Sequence, residues 1–555
     1  MKYLASFNDE QKGIFIKNDP LKPNTLVIAG AGSGKTRSLI GLLEKAILID
    51  KINPEQIIVS TYTTKAADEI KLRLEESLSI ISKLKLGTIH SIARKILIDT
   101  LKLQITIISE DDTLVIFGIL CQDKSLLYKL PKLYSEHKEV LRNLSLKELL
   151  IIRDISVDKV DIISKYFTKY EEIKRMKGCF DFTDLMVNSL RILQTNKSAD
   201  KYLQKIKLII VDEVQDINDF QYELFMTLNK YANNMIMFGD DYQSIYGFRG
   251  SNSLLMKKFK EVKNVETKFL KSNYRSSNHI VKFCNKIIEA GGEHTSMLIT
   301  KECQSVVNYK SSRNDINVKY FLNEHEQAQY ILKILQETTE DKKIGVLSRT
   351  NKELKTFSIF LKTQSIPHLC QQNKKVQDTL KIALEGICVL NNNPLQCYYW
   401  WYIVITYKAL SDKDLRKSLV LGEKSLWELI LTDEMPQNDK NDVEFVNDMK
   451  ELYKDPTYIN HILLKFDSET ESSSSEDACS TELSKNIVLQ TIHSSKGLEY
   501  DYVIILDCKP RPTDSYEEAI RLFYVACSRA KSKLLITHIG NSIPFIENIP
   551  KTFYL

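Results

Sequence analysis

The chain has 555 residues, too many for one hydrophobic core, so roughly three to five structural units are expected. It is 43% hydrophobic and 27% charged, the balance of a globular protein, and its net charge of +5 permits a polyanionic partner without requiring one. Ten cysteines with no CxxC pair or zinc-spaced Cys/His cluster exclude a zinc module, and no apolar run approaches the ~20 residues that span a bilayer.

In chain order, MKYLASFNDEQKGIF carries charges where a signal peptide needs an apolar run, so an intracellular, soluble protein with reduced cysteines and no membrane association is expected. Next, TLVIAGAGSGKTRSLIGLLEKAIL (25–48) runs from a short apolar stretch through a glycine-rich turn into a helical pattern. It predicts a strand, a phosphate loop and a helix. The core Ala29-Gly30-Ala31-Gly32-Ser33-Gly34-Lys35-Thr36 matches the P-loop pattern, with Ala29 at the first glycine position. Backbone N–H groups and the helix N-terminus cradle phosphates there. Lys35 should reach the β/γ-phosphates of ATP, and Thr36 should hold Mg²⁺.

Residues 95–175 contain one proline and one glycine and carry helix-forming patterns throughout. LIIVDEVQD (208–216) is an apolar run that delivers Asp212 and Glu213 to its end, the usual partner of a P-loop. Asp212 is expected to order the metal ion, and Glu213 to orient and activate water, which implies hydrolysis. GDDYQSIYGFRG (239–250) follows the apolar MIMFG. Its front half suits a metal or phosphate, and its back half suits a flat ligand on an anionic chain. IGVLSRT (344–350), IVLQTIH (487–493), DYVIILD (501–507) and KLLITHI (533–539) read as strands of a second sheet. YYWWY (398–402) reads as buried helix, the alternative being a platform for DNA or a partner. DSETESSSSEDACSTE (467–482) has no apolar periodicity and reads as a flexible acidic linker. The chain holds only 18 glycines, and Gly30, Gly32, Gly34, Gly87, Gly239, Gly247, Gly250 and Gly497 all fall in the segments quoted above or below.

An ordered set of segments runs along the chain: FNDEQKGI (7–14), AGAGSGKTR (29–37), STYTTKAADEI (60–70), GTIHS (87–91), DFTDLM (181–186), VDEVQD (211–216), GDDYQSIYGFRG, NYRSS (273–277), TIHSSKGLEYD (491–501) and FYVACSRA (523–530). This set resembles the UvrD/Rep/PcrA family of superfamily 1 DNA helicases. The resemblance implies an α/β fold: two RecA-like P-loop lobes, with parallel sheets flanked by helices, and two mainly helical insertions. The first lobe (1A) would take residues 1–94 and 176–278, and the second (2A) 279–370 and 485–555. The insertions would be 95–175 (1B) and a short 371–484 (2B) that ends in the linker.

The same resemblance implies residue roles. Gln11 would read the adenine edge, and Arg37 and Tyr274 would stack on the base. Arg275 and Arg529 would meet the γ-phosphate. Glu499 would bind ribose beside Gly497, and Gln243 would sense the γ-phosphate. On the nucleic-acid side, Tyr62, His90, Tyr246 and Phe248 would offer stacking platforms. Lys65 and Arg249, with the hydroxyls of Thr61, Thr63 and Thr88, would meet phosphates. The family usually has Trp where this chain has Phe248, and a smaller ring stacks more weakly.

The expected activity is ATP-dependent translocation 3′→5′ on single-stranded DNA and unwinding at single-strand/duplex junctions, with polarity implied by the resemblance alone. The alternatives are a translocase that displaces proteins or scans DNA, and a nucleic-acid-sensing subunit that licenses a partner such as a nuclease. Only 25 residues follow FYVACSRA, so no appended nuclease is expected.

Overall fold

The structure is a computed structural model. It describes residues 6–15, 24–75, 83–102, 129–140, 145–195, 203–232, 234–247, 250–307, 312–338, 341–370, 486–507, 515–540 and 544–555, with scattered positions between 104 and 126 and at 447 and 450. The segment expected to form the 2B insertion (371–484), with its YYWWY run and acidic stretch, lies outside the described residues apart from 447 and 450. The described residues form two compact units. One comprises those of Met1–Ile92, Leu193–Gln372 and Ser480–Leu555, and the other includes those of Ala93–Ile192.

The first unit is built on two six-stranded parallel sheets. Strands β1 (Asn24–Ala29), β2 (Ile57–Thr61), β3 (Lys85–Thr88), β4 (Leu208–Val211), β5 (Asn234–Gly239) and β6 (Val265–Leu270) lie in the order β3-β2-β4-β5-β1-β6. Most of these strands are buried on both faces, so they read as apolar runs rather than alternating ones; β5 is buried at every position. Strands β7 (Ile316–Phe321), β8 (Ile344–Ser348), β9 (Leu369–Cys370), β10 (Ile487–Thr491), β11 (Tyr500–Leu506) and β12 (Ala530–Ile539) form the second sheet, in the order β7-β12-β11-β8-β10-β9. The strand expected at 533–539 begins earlier, at Ala530, because its first residue already pairs with Tyr500.

Helices flank the sheets at the points where capping residues allow them to start. Thr350 caps the helix Asn351–Thr363 through a reciprocal bond with Glu353, and Asn218 caps Asp219–Asn229 with Gln221 in the same way. One apolar core contains β1, β4 and β5 residues such as Val27, Ile210 and Phe238. Another joins Ala31, Tyr242 and Ile245 to Phe523 and Tyr524 of the helix Tyr516–Cys527, so the ends of the first sheet's loops are seated on the second sheet's helix.

The second unit is mainly helical where it is described, with a short parallel pairing of Thr106–Ile107 with Cys179–Phe180. Leu130–Val140, Leu146–Ile152 and Val160–Lys177 enclose Phe117, Tyr134, Phe167 and Tyr170. The two aspartates of DFTDLM have a structural role here. Asp181 and Asp184 each lie 2.6 Å from the buried Lys174 ammonium, which also donates to Tyr134 Oη at 2.7 Å. Among the described residues no helix is long and apolar enough to cross a membrane.

Candidate nucleotide and nucleic-acid site

The P-loop turns out of β1 and into the helix Lys35–Glu44. Gly32 (φ 69°) and Gly34 (φ 75°) take the left-handed conformation that the turn requires. Gly30 is glycine for a different reason: a β-carbon there would run into Cys303 Sγ. The loop is clasped from the far side by NYRSS. Asn273 Nδ2 donates to the Ala31 carbonyl at 2.7 Å, and the Tyr274 N–H donates to the Gly32 carbonyl at 2.8 Å. Asn273 Oδ1 in turn accepts from the N–H groups of Arg275 and Ser276. Asn273 therefore fixes Arg275 against the phosphate loop. Thr36 is half-buried in the first turn of the helix.

Lys35 lies against both carboxylates that end β4, 3.0 Å from Asp212 Oδ1 and in closer contact with Glu213. Burial alone would lower the pKa of its ammonium, but the two negative charges outweigh it and raise that pKa. The acids respond in opposite directions. Burial and the neighbouring Glu213 charge raise Asp212. Glu213 is held down to about 2, since Lys35 and Lys496 outweigh its burial. Glu213 also sits at φ 53°, ψ 44°, a left-handed conformation that is strained for a residue with a side chain. Gln215 steadies it: its amide donates to Glu213 while its oxygen accepts from the Asp240 N–H at 3.0 Å.

The second sheet supplies the other wall. Arg529 is buried, and one guanidinium nitrogen donates both to Gln243 Oε1 and to Ser528 Oγ at 2.8 Å. Arg275 donates to the Ser528 carbonyl at 3.1 Å and pairs with Glu499 at 2.9 Å. Ser528 thus brings the two arginines together. Burial and the neighbouring Arg275 pull Arg529 down to about 9. Two cations forced together in a buried place form a site built for a polyanion. Ser33 Oγ, buried in the phosphate loop with no described residue bonded to it, fits the same ligand. Glu499 is drawn to Arg275 and Lys531, and those two charges lower its carboxyl despite burial. Beside it, Gly497 takes φ 86°.

The expected base-binding residues gather at the start of the chain. Gln11 is buried, caps its own helix through Asn8, and has its amide against Gly34. Arg37 lies 5.2 Å over the Phe7 ring, and Tyr274 Oη accepts from Asn8 Nδ2 at 2.7 Å. Arg37 and Tyr274 are both exposed, each tethered to the Ser6–Asn8 segment.

On the nucleic-acid side, Tyr62 and Tyr246 stack on each other, centroids 5.3 Å apart at 20°. Lys65 is exposed in the first turn of the helix Thr64–Glu75. His90 is pulled down to about 4 by burial and is neutral at physiological pH. One expectation needs correction. Thr61 is buried, and its hydroxyl donates to the Thr63 carbonyl at 2.9 Å, so it shapes the turn rather than meeting a phosphate. Thr63 and Thr88 accept from backbone N–H groups and keep their hydroxyl hydrogens to donate. Phe248 and Arg249 lie outside the described residues.

The sequence reading missed Lys496 and Asp216, although both lie inside quoted segments. Lys496 Nζ bonds to Asp216, donates to the Gln243 carbonyl at 2.9 Å, and lies 5.1 Å over the Tyr246 ring. One side chain from the second sheet therefore touches the acid cluster, the glutamine loop and the aromatic stack.

The UvrD/REP helicase N-terminal domain matches residues 7–264, and the UvrD-like helicase C-terminal domain matches 269–384 and 408–541. The chain belongs to the UvrD/Rep helicase family. It is 27% identical to the ATP-dependent DNA helicase Rep of Buchnera aphidicola subsp. Baizongia pistaciae, over 96% of this chain and 91% of that one. It is 25% identical to the probable DNA helicase II homolog of Mycoplasma genitalium, over 96% and 86%. With the ATP-dependent DNA helicase PcrA of Staphylococcus aureus it shares 24% identity over 95% and 83%.

Proposed function

We propose that the protein is an ATP-driven DNA helicase that moves 3′→5′ along a single strand and opens duplex at junctions. The observation that carries this reading is Gln243. Its amide bridges Asp240 and Arg529, and three residues later Tyr246 stacks on Tyr62. A shift of this glutamine when the γ-phosphate leaves would move the aromatic stack through at most about 11 Å of chain. The polarity comes from kinship with Rep and PcrA.

In this reading Lys35 and the P-loop backbone hold the ATP phosphates, and Arg275 and Arg529 stabilise charge on the γ-phosphoryl as it transfers. Gln11, Arg37 and Tyr274 bind the base. Asp212 and Thr36, both oxygen donors, would hold Mg²⁺, which neutralises phosphate charge. Glu213 orients the attacking water and accepts its proton. Lys35, which pairs with both acids, turns to the phosphates when nucleotide binds. We assign residues 1–94 and 176–278 to the first lobe, 279–370 and 485–555 to the second, and 95–175 and 371–484 to the insertions.

The test is strand displacement on substrates that carry a 3′ or a 5′ single-stranded tail, run alongside ATPase measurements with and without single-stranded DNA. Unwinding from the 3′ tail and DNA-stimulated turnover are expected. ATP turnover that DNA leaves unchanged sinks the proposal, and unwinding only from the 5′ tail overturns the polarity.

A further inference from the structure

Lys301 lies in the segment after the helix Asn278–Ala290, outside every motif quoted above. Its ammonium is almost wholly enclosed, 2.9 Å from Asp240 Oδ1, 2.7 Å from Asp241 Oδ1 and 3.2 Å above the centre of the Tyr242 ring. Its own N–H donates to Tyr242 Oη at 3.2 Å, and Asp241 Oδ2 accepts from the Ile299 N–H. A buried ammonium is costly unless its partners are close and charged. Here Asp240 and Asp241 outweigh burial and keep it protonated. Three consecutive residues at the start of the glutamine loop therefore close around one cation.

The two oxygens of Asp240 divide their work. Oδ1 accepts from Lys301 and from the Tyr242 N–H at 3.1 Å. Oδ2 accepts only from the Gln243 amide nitrogen among the described bonds, at 2.6 Å. With Asp240 Oδ1 held by Lys301, the Gln243 amide has one orientation, nitrogen towards Asp240 and oxygen towards Arg529. Without the ammonium, Asp240 and Asp241 become neighbouring buried acids with no cation between them. A rotation of the Asp240 carboxylate relieves their repulsion, and the amide loses the acceptor that fixes it.

We propose that Lys301 is a positioning residue for ATP turnover, holding Asp240 so that Gln243 presents its amide oxygen to Arg529, the guanidinium that meets the γ-phosphate. The inference rests on the sensor role of Gln243 given above. Lys301 touches neither nucleotide nor DNA in this scheme and acts through Asp240 alone.

The experiment is a double-mutant cycle on the full chain, reading kcat and KM for ATP at saturating single-stranded DNA. Lys301→Met keeps the stem and removes the charge. It should lower kcat about tenfold, with KM for ATP and affinity for ADP within about twofold, since misplacing a reacting group by a fraction of an ångström costs on this scale. Lys301→Arg should recover most of the loss. Gln243→Ala should lower kcat by itself, and adding Lys301→Met to it should cost less than about twofold more. Losses that multiply, or a folded Lys301→Met protein with kcat within twofold of the parent, overturn the inference while leaving the helicase reading intact. A Gln243→Ala protein with parental kcat removes the sensor role itself, and with it the inference. If the methionine variant does not fold, Lys301→Gln keeps a donor, loses the charge and goes through the same cycle with the same criteria.

Discussion

Lys35→Met tests the site twice, since Lys35 both meets phosphate in the proposed cycle and compensates two acids in the fold. The methionine keeps most of the stem and deletes the ammonium. Asp212 is then left without its cation, and Glu213 keeps only Lys496, 3.7 Å away. Breaking a buried pair costs about 3–5 kcal/mol. The Lys35 and Glu213 side chains retain 16% and 25% exposure, and solvent screening discounts that figure to about 2–3 kcal/mol near pH 8. The unit that holds Lys35 spans about 350 residues, so at about 2.1 cal/mol/K per residue the apparent melting midpoint falls by about 3–4 °C. The pH dependence has a definite sign. Lys35 has a raised folded pKa, so its contribution is fully present below 10.5 and constant from pH 6 to 8. In the variant Asp212, already raised, rises further, and an acid with a raised folded pKa is destabilising above that value. Acidification from pH 8 to 5.5 should therefore narrow the gap between variant and parent. Adding Glu213→Gln should restore the midpoint at pH 8 while ATP turnover stays at background. Calorimetry across that pH range and a coupled ATPase assay read both. A single variant as stable as the parent at pH 8, or a gap that widens on acidification, refutes the compensation argument.

Other parts of the site make shorter claims. Gly30→Ala should raise KM for ATP, because the added methyl collides with Cys303 Sγ and displaces the loop, and Cys303→Ala in the same chain should recover it. His90, lowered to about 4, is neutral in the fold, so its contribution to stability is lost as pH falls from 6.5 towards that value. The parent's melting midpoint should accordingly fall more steeply between pH 6.5 and 4 than that of His90→Asn. Tyr246→Leu removes the partner of Tyr62 and the ring under Lys496, and should weaken single-stranded DNA binding by about 1–3 kcal/mol, measured by fluorescence anisotropy, with basal ATP turnover retained.

The sequence by itself determined what depends on neighbours along the chain. Apolar runs ending in Gly-rich or acidic turns gave the parallel strands. Gly32 and Gly34 announced a phosphate loop, because a turn with positive φ leaves few other residue choices. Motif order placed the chain within one family. Tertiary structure alone decided which distant groups meet. Arg529 reaches Gln243 across 286 residues, and Lys496 reaches Asp216 across 280. These contacts depend on how the second sheet's helix seats on the first sheet's loops, and no local period encodes that. The same packing turned the Thr61 hydroxyl inward, a choice between solvent and a nearby carbonyl that residue type leaves open. It also enclosed Lys301, which in the sequence is an ordinary lysine in an unremarkable segment. Burial between Asp240 and Asp241 is what gives it a purpose, because the energy of a charge depends on its surroundings in space and not on its neighbours in the chain.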